Sequence, residues 1–255
     1  MTRLRPASGA SGCRRWRKSV SGVWHSASSR RWRLPCSPHW GPPEPVARGC
    51  ATRCDGTAGT PNLLFAYPSA LPQPGGYIAK QVKLEFGALT NQQPTALHRI
   101  AALLASAPGV SLSAAFDDLH ADVLALALAR TFWEKATILH AEYHRPADLP
   151  IRDRFARHYA DFAALWGHAG RDQALGRLDL LQDVVQHKGR YFASHWAHYE
   201  SARPGSFRLV PPAQRHGALA QDYARMLPMF LVPPPAFDKM MEQLATAEHH
   251  LNAGA

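Results

Sequence analysis

A sharp change of composition near residue 60 limits which part of this chain can form a folded core. Residues 1–60 hold eleven of the 29 Lys and Arg residues but only two of the 19 Asp and Glu residues, so they carry +9 of the total charge of +10. The segment is rich in Arg, Ser, Pro and Gly and shows no strand or helix periodicity. Such a sequence buries too little apolar surface to offset the entropy lost on ordering. We therefore predict that residues 1–60 are disordered and that the folded part begins at residue 61.

Three interpretations of residues 1–60 compete. A basic arm could bind nucleic acid, with Trp16, Trp24 and Trp32 stacking on bases, and its affinity would fall steeply with salt. A zinc site could use the four cysteines, although only Cys50 and Cys54 are close in sequence and the spacing matches no usual ligand pattern. The segment could also have no evolved role, as the product of a misassigned start or a shifted reading frame. The abrupt change of composition favours this last interpretation.

The remaining 195 residues have the composition of an ordinary folded domain. They contain no cysteine, which excludes a disulfide framework there and fits a reducing compartment. No apolar run approaches the roughly 18 residues of a membrane helix. The Arg- and Ser-rich start would also suit an organelle transit peptide, but it has neither an amphipathic helical pattern nor the apolar stretch of a secretory signal. We predict a cytoplasmic protein that does not enter a membrane.

Hydrophobic periodicity predicts an α+β protein in which a small sheet precedes a helical part. Residues 77–88 alternate as a strand with one mostly apolar face, and "DVLALALA" (122–129) has the composition of a buried strand. "HRIAALLAS" (98–106) is predicted as a short helix. Six helices follow, at 131–144, 152–167, 171–187, 188–202, 214–227 and 235–251. The predicted domains are a disordered segment at 1–60, an α/β part at 61–130 and a helical domain at 131–255.

The stretch "RTFWEKATILHAEYHRP" (130–146) has the pattern of an amphipathic helix. Thr131 and Glu134 have the spacing of a capping box, which would start the helix at this point. One apolar stripe joins Phe132, Ala136, Leu139 and Tyr143. Lys135 lies at the shoulder of this stripe. It could be a phosphate-binding or acid–base lysine, or a lysine whose stem covers apolar surface.

Two other groups of charged residues allow both a functional and a structural interpretation. Lys83 and Glu85 share one side of the predicted strand, where Glu85 could bind Mg²⁺ or the two could simply form a solvated pair. In "RFARHYADFAALW", Asp161 follows Arg157 by four residues and His158 by three. This arrangement fits either a surface ion pair or a carboxylate held in place by basic neighbours.

The order of several motifs resembles the AbiEii/AbiGii-type nucleotidyltransferase family. The motifs are "YPSAL", "VKLEFGA", "ARTFWEKATILHAEYHRP", "RFARHYADFAAL", "HKGRYFASHWAHYESARPGSFRLVPP" and "LAQDYARMLPMFL" followed by "PAFDKMMEQL". The resemblance runs from about residue 62 to the C-terminus. It implies a partial polymerase-β-like nucleotidyltransferase core followed by a helical C-terminal part. It also implies a bacterial toxin of a type IV toxin–antitoxin or abortive-infection system.

The resemblance further implies roles for particular residues and partners. Lys135 and Asp161 would be catalytic, Lys83 and Arg157 would contact the nucleotide, and Glu85 would bind the metal. Arg157 would hold Asp161 through an ion pair four residues apart on one helix. The implied cofactors are Mg²⁺ and a nucleoside triphosphate. The implied partners are an acceptor, either RNA (including tRNA) or protein, and a cognate antitoxin.

The chain lacks two motifs that the family places near its start. It contains neither a Gly-Gly-Ser/Thr loop nor any Asp-x-Asp pair. Two-metal nucleotidyl transfer requires paired carboxylates on shared ions, and Glu85 alone cannot supply them. We therefore expect a 5′-truncated or frame-shifted copy of a nucleotidyltransferase toxin that is inactive as a chain of this sequence. The alternative is a nucleic-acid-binding protein that uses the basic arm.

Overall fold

The computed structural model describes residues 50–54, 61–66, 77–87, 89–103 and 119–253. The prediction for residues 1–60 thus falls outside the described residues, except at 50–54. The chain divides into two compact units. The first contains a three-stranded sheet, and the second contains a two-stranded hairpin and six described helices. The α+β fold class is confirmed, whereas the boundaries of the three predicted domains stay a prediction.

The first unit is an antiparallel sheet with the order β1–β2–β3. Its strands are β1 (Cys50–Cys54), β2 (Pro61–Ala66) and β3 (Gln81–Glu85). The register places Leu64 opposite Lys83 and Asn62 opposite Glu85. β3 is shorter than the strand predicted at 77–88. All of its side chains are exposed, so the predicted apolar face does not form a buried surface.

The second unit begins with an antiparallel hairpin of β4 (Thr95–Ala101) and β5 (His120–Leu126). Its helices are α1 (Leu128–Tyr143), α2 (Ala156–Trp166), α3 (Arg171–Leu175), α4 (Leu178–Tyr191), α5 (His216–Met226) and α6 (Phe237–Ala253). Single 3₁₀ turns lie at Tyr199–Ser201, Ala213–Arg215 and Leu227–Met229. None of the helices in the described ranges combines the length and apolar content that a membrane span needs.

α1 is the central element of the helical core. It packs against α2, α3 and α4, while α2 also contacts α5 and α6. Phe132, Ala136 and Leu139 of the predicted stripe are completely buried, as is Trp133. The Trp133 indole donates a hydrogen bond of 3.0 Å to the carbonyl oxygen of Ala174, which ties α3 to α1. The apolar stripe thus makes α1 a helix enclosed on several sides, with few polar positions left at its edge.

Three predicted elements are wrong. Residues 98–101 of the predicted helix "HRIAALLAS" belong to strand β4. The segment "DVLALALA" is not a buried strand, because most of β5 is exposed and Leu128 already begins α1. The helix predicted at 188–202 does not form either, since α4 ends at Tyr191 and only one 3₁₀ turn follows. Short apolar runs carry little information about helix or strand, because a few residues fit either period.

The predicted capping box is also wrong. α1 begins at Leu128, three residues before Thr131, so Thr131 lies within the first turn. Its hydroxyl donates to the carbonyl oxygen of Ala127 at 3.3 Å instead of accepting from a backbone N–H. Glu134, the expected partner in the box, instead accepts hydrogen bonds from Arg130 at 3.4 Å. Arg130, although charged, is fully buried in the helical core.

Candidate functional site

Lys135 and Asp161 lie together at the contact between α1 and α2. The Lys135 Nζ donates to the Asp161 Oδ2 at a distance of 2.6 Å. The side chain of Lys135 is 21% exposed and that of Asp161 is 49% exposed, so solvent can reach the pair. A second group contacts the ammonium, because His158 Nδ1 lies 3.3 Å from Lys135 Nζ. The structure therefore brings together the two residues that the sequence predicted to be catalytic.

Aromatic packing fixes the two helices that carry this pair. The ring of Phe132 on α1 contacts those of Phe162 and Trp166 on α2, with centroids 5.1 and 6.5 Å apart. Tyr159 and Phe162 are almost completely buried on the same side of α2. Lys135 and Asp161 occupy the edge of this contact, so their backbones belong to rigid elements while their charged ends stay accessible. Rigid mounting of this kind keeps a functional group close to one geometry.

A buried network of charges lies next to the pair. Glu134, adjacent to Lys135 on α1, accepts from Arg130 at 3.4 Å and from Lys188 at 3.1 Å. Lys188 comes from α4 and also donates to the Glu134 carbonyl oxygen at 2.7 Å and to the Thr137 hydroxyl at 2.8 Å. Burial lowers the pKa of Lys188 to about 8, although Glu134 partly opposes this shift. Lys188 of α4 therefore holds the turn of α1 that carries Lys135 in place through these hydrogen bonds.

His158 is neutral, and its tautomer can be inferred. Burial and, to a smaller extent, the neighbouring cations Lys135, Arg157, Arg152 and Lys188 together lower its pKa to about 3. Because a lysine ammonium can only donate, Nδ1 of His158 must accept and the ring proton must lie on Nε2. His158 thus gives Lys135 a neutral acceptor beside the charged acceptor Asp161. The two acceptors fix the direction of the ammonium, and only one of them carries a negative charge.

Lys83, Glu85 and Arg157 are the other predicted site residues. Lys83 and Glu85 lie on β3 in the first unit, where their side chains pair with each other and are 46% and 64% exposed. Arg157 is exposed on α2. The predicted Arg157–Asp161 pair is wrong, because Lys135 holds Asp161 and Arg157 forms no ion pair with any described residue. Lys135 can reach Asp161 across the helix contact, whereas Arg157 extends into solvent.

Sequence reasoning missed the role of Lys188 and gave His158 no function of its own. The signal for Lys188 was its position, since Leu181, Val184 and Lys188 fall on one helical stripe and the first two are core residues. A lysine that continues an apolar stripe needs buried partners, and those partners are on another helix. For His158 the signal was weaker, because its spacing to Asp161 places the two on one side of α2 but says nothing about α1.

The described residues do not fit a two-metal site. Within them there is no group of three His, Cys, Asp or Glu side chains that could hold a metal ion. Glu85 already pairs with Lys83, and the sequence contains no Asp-x-Asp. A two-metal site needs several carboxylate oxygens around shared ions.

The fold and this cluster define an α+β protein with an accessible lysine–aspartate pair mounted between two packed helices. The family profile described as "Nucleotidyl transferase AbiEii toxin, Type IV TA system" matches residues 43–243, well over half of the 255 residues. The chain belongs to this family. No match was found among curated proteins or among solved structures. Membership implies a nucleoside triphosphate substrate, use of a metal ion and an antitoxin partner.

Proposed function

We propose that this chain binds a nucleoside triphosphate of a nucleotidyl-transfer system and that Lys135 contacts its phosphate. The observation that carries the proposal is the Lys135–Asp161 pair, with 2.6 Å between Nζ and Oδ2, in a member of a nucleotidyltransferase family. A lysine ammonium is a compact point charge that suits a phosphate oxygen. Because the Lys135 side chain is 21% exposed, one N–H group of its ammonium can donate to a ligand oxygen in place of a protein acceptor, and the site need not unfold.

Asp161 and His158 would serve Lys135 in different ways. Asp161 accepts a charge-assisted hydrogen bond from Lys135 and directs the ammonium toward the edge of the helix contact. When a phosphate arrives, Asp161 can keep one hydrogen bond to the ammonium or turn to the sugar or base. His158 accepts from Lys135 and adds no charge. Arg157 and Lys83, both exposed, remain proposals as further nucleotide contacts.

We further propose that this chain does not complete nucleotidyl transfer by itself. The support is chemical: transfer in this family uses metal-held carboxylates, and neither an Asp-x-Asp pair nor a described metal-binding cluster is available. Glu85 is the proposed remnant of the metal site. The proposed acceptor, were transfer completed, is RNA (including tRNA) or protein. The proposed function is therefore nucleotide binding without turnover.

Binding and transfer can be measured separately on the full chain. Equilibrium dialysis with labelled nucleoside triphosphates should show saturable binding, and Lys135→Ala should weaken it by about tenfold or more, because a hydrogen bond to a charged group is lost. Lys239→Ala is the matched control, since Lys239 forms an exposed 2.8 Å pair with Glu242 on α6, and it should bind normally. Equal binding by Lys135→Ala and the unmodified chain would contradict the assigned role.

The transfer half of the proposal has its own assay. The full chain, Mg²⁺, labelled nucleoside triphosphates and total RNA should give no labelled RNA above the background without protein. Labelled protein should be absent from the same reactions. Transfer of label that Lys135→Ala or Asp161→Ala abolishes would show that the site is complete and that the proposed inactivity is wrong.

A further inference from the structure

A second feature of the helical unit is an uncharged segment that joins α5 to α6. Residues 226–237, "MLPMFLVPPPAF", contain no charged side chain, although Arg225 and Asp238 flank them directly. Within this segment Leu231 and Val232 are 82% and 73% exposed, and Leu227 and Met229 are about half exposed. Monomeric soluble proteins usually keep contiguous apolar patches of this kind small. The segment therefore has the character of a contact surface.

An apolar groove of about 350 Å³ lies beside this segment. Part of its wall comes from α2, part from the segment itself, and the rest from α5 and α6. The residues that line it are Ala160, Ala163, Ala164, Gly167, Tyr223, Phe230, Pro234, Pro235, Met240 and Gln243. None of these lining residues is charged. The groove therefore suits an uncharged, apolar occupant.

The exposed side chains and the groove belong to one surface. Leu231 and Val232 stand between Phe230 and Pro234 in the chain, and both of those residues line the groove. Leu231 and Val232 do not fill their own groove, since both are largely exposed. In a second copy related by a two-fold axis, the same surface receives these side chains and inserts its own in return. A two-fold pair thus buries both features of both copies.

The charges around this surface favour a second copy over other occupants. Arg225 lies 3.0 Å from Asp222 and Lys239 lies 2.8 Å from Glu242, so each cation next to the segment already has an acid. A nucleic acid or an anionic lipid surface would require unpaired cations here. The basic residues 1–60 would bring charge into a groove whose wall contains no acid. An uncharged surface that meets its own copy buries no unpaired charge.

We propose that this chain forms a two-fold dimer in which Leu231 and Val232 of each copy occupy the groove of the other. The groove residues and the four exposed side chains amount to fourteen residues on each copy. A standard interface uses about 20–30 residues a side, so the dimer belongs to the weaker class, with a dissociation constant on the order of 10 µM. The proposal goes beyond nucleotide binding and does not depend on it.

Sedimentation velocity of the full chain tests the association directly. Between about 1 and 100 µM, the monomer should convert reversibly into a dimer. A reducing buffer keeps the four cysteines from cross-linking the chains. Leu231→Asp places a carboxylate where the groove offers no cation, and it should weaken association about a hundredfold or more. Leu178→Asp is the matched control and should dimerise normally, because Leu178 is an exposed leucine at the start of α4, outside this surface.

A second variant blocks the groove instead of the inserting side chain. Ala164→Trp fills the groove from an exposed position on α2, and it should weaken association as strongly as Leu231→Asp. Circular dichroism and thermal unfolding check that each variant is folded. Should Ala164→Trp fail to fold, Gln243→Trp takes its place, because Gln243 lines the same groove from an exposed position on α6.

Mixing the two kinds of variant tests the reciprocal geometry. Each variant alone loses both contacts of the pair, since one of the two features is defective in both copies. In a mixed pair, Leu231 of the groove-blocked copy can still enter the open groove of the Leu231→Asp copy. The mixture should therefore associate about tenfold more tightly than either variant alone. Fluorescence-detected sedimentation with one variant labelled measures the mixed pair.

Every other result counts against the dimer. A full chain that stays monomeric at about 100 µM overturns the proposal, as does a folded Leu231→Asp variant that dimerises like Leu178→Asp. Assemblies that grow beyond the dimer would indicate a head-to-tail contact and overturn the two-fold arrangement. A mixture that associates no better than its separate components overturns the insertion of Leu231 into the groove.

Discussion

At the scale of single residues, the sequence predicted the positions of Lys135 and Asp161 better than their surroundings. Periodicity placed Lys135 at the edge of a buried stripe, and the structure places it there, 21% exposed. Its partner Asp161 is 26 residues away, and only the family resemblance linked the two. Periodicity describes one helix at a time. It therefore could not show that His158 or Lys188 approaches the same turn from another helix.

Buried histidines make the stability of the helical unit sensitive to acid. His140 is fully buried, and burial lowers its pKa to about 4. Its Nδ1 accepts the backbone N–H of Arg208 at 3.1 Å, so the proton lies on Nε2, which donates to the Ser201 hydroxyl at 3.0 Å. The unfolded chain takes up a proton near the ordinary histidine pKa of about 6.5, whereas the folded chain does so only near pH 4.

The free energy of unfolding should therefore fall as pH drops through this window. His140 alone should account for a loss of about 2 kcal/mol between pH 7 and pH 5, because the unfolded state binds the additional proton. Urea denaturation at the two pH values measures the loss, and His140→Gln should reduce the difference whatever its effect at pH 7. An NMR titration that shows His140 protonating between pH 7 and pH 5 would contradict the explanation.

At the scale of elements, Glu134 joins α1 to α4 through a buried charge network. Its carboxylate serves both Arg130, which is fully buried, and Lys188, which is 5% exposed. Removing the charge would leave two buried cations without their acid. Glu134→Gln should therefore lower the free energy of unfolding by about 3–5 kcal/mol, the usual cost of breaking a buried pair from one side.

A matched substitution at an exposed glutamate separates the effect of the buried network from the effect of removing one negative charge from a helix. Glu242→Gln removes an acid of the same type from the exposed Lys239–Glu242 pair on α6, and its stability should hardly change. Chemical denaturation of both variants at pH 7 gives the comparison. Similar stabilities for the two variants would mean that Glu134 contributes no more than a surface acid.

Element boundaries show why part of the fold was not predictable from the sequence. Phe132, Ala136 and Leu139 of the predicted α1 stripe face the core, whereas Tyr143 is only partly buried. The start of α2 was predicted four residues too early. The backbone N–H groups at its true start are capped by a distant residue, so no local capping signal marks this position. Asp222 accepts from the backbone N–H of Arg154 at 3.1 Å and of Ala156 at 2.8 Å, although it lies 66 residues from Ala156. Local sequence patterns contain no information about such a distant cap.

At the scale of the whole molecule, charge and fold are separated along the chain. Nearly all of the net charge of +10 belongs to residues 1–60, whereas the described core belongs almost entirely to the remainder. The sequence motifs placed the start of the family resemblance near residue 62, but the family match begins at residue 43 and includes β1. Motif recognition missed this part because the five residues of β1, CATRC, show no regular apolar–polar alternation. The α+β class followed from periodicity, since it needs only the type of each element.

Because Asp222 caps the start of α2 from far along the chain, α2 gains its cap late during translation. The helix that carries Asp161 and His158 emerges from the ribosome well before Asp222, because 66 residues separate Ala156 from its cap. Until then the start of α2 lacks its acceptor, and Lys188 is likewise synthesised 54 residues after Glu134. We expect the lysine–aspartate pair to form only late in translation. Stalled nascent chains ending just before and well after residue 222 should differ in protease protection of α2, and equal protection would contradict this order.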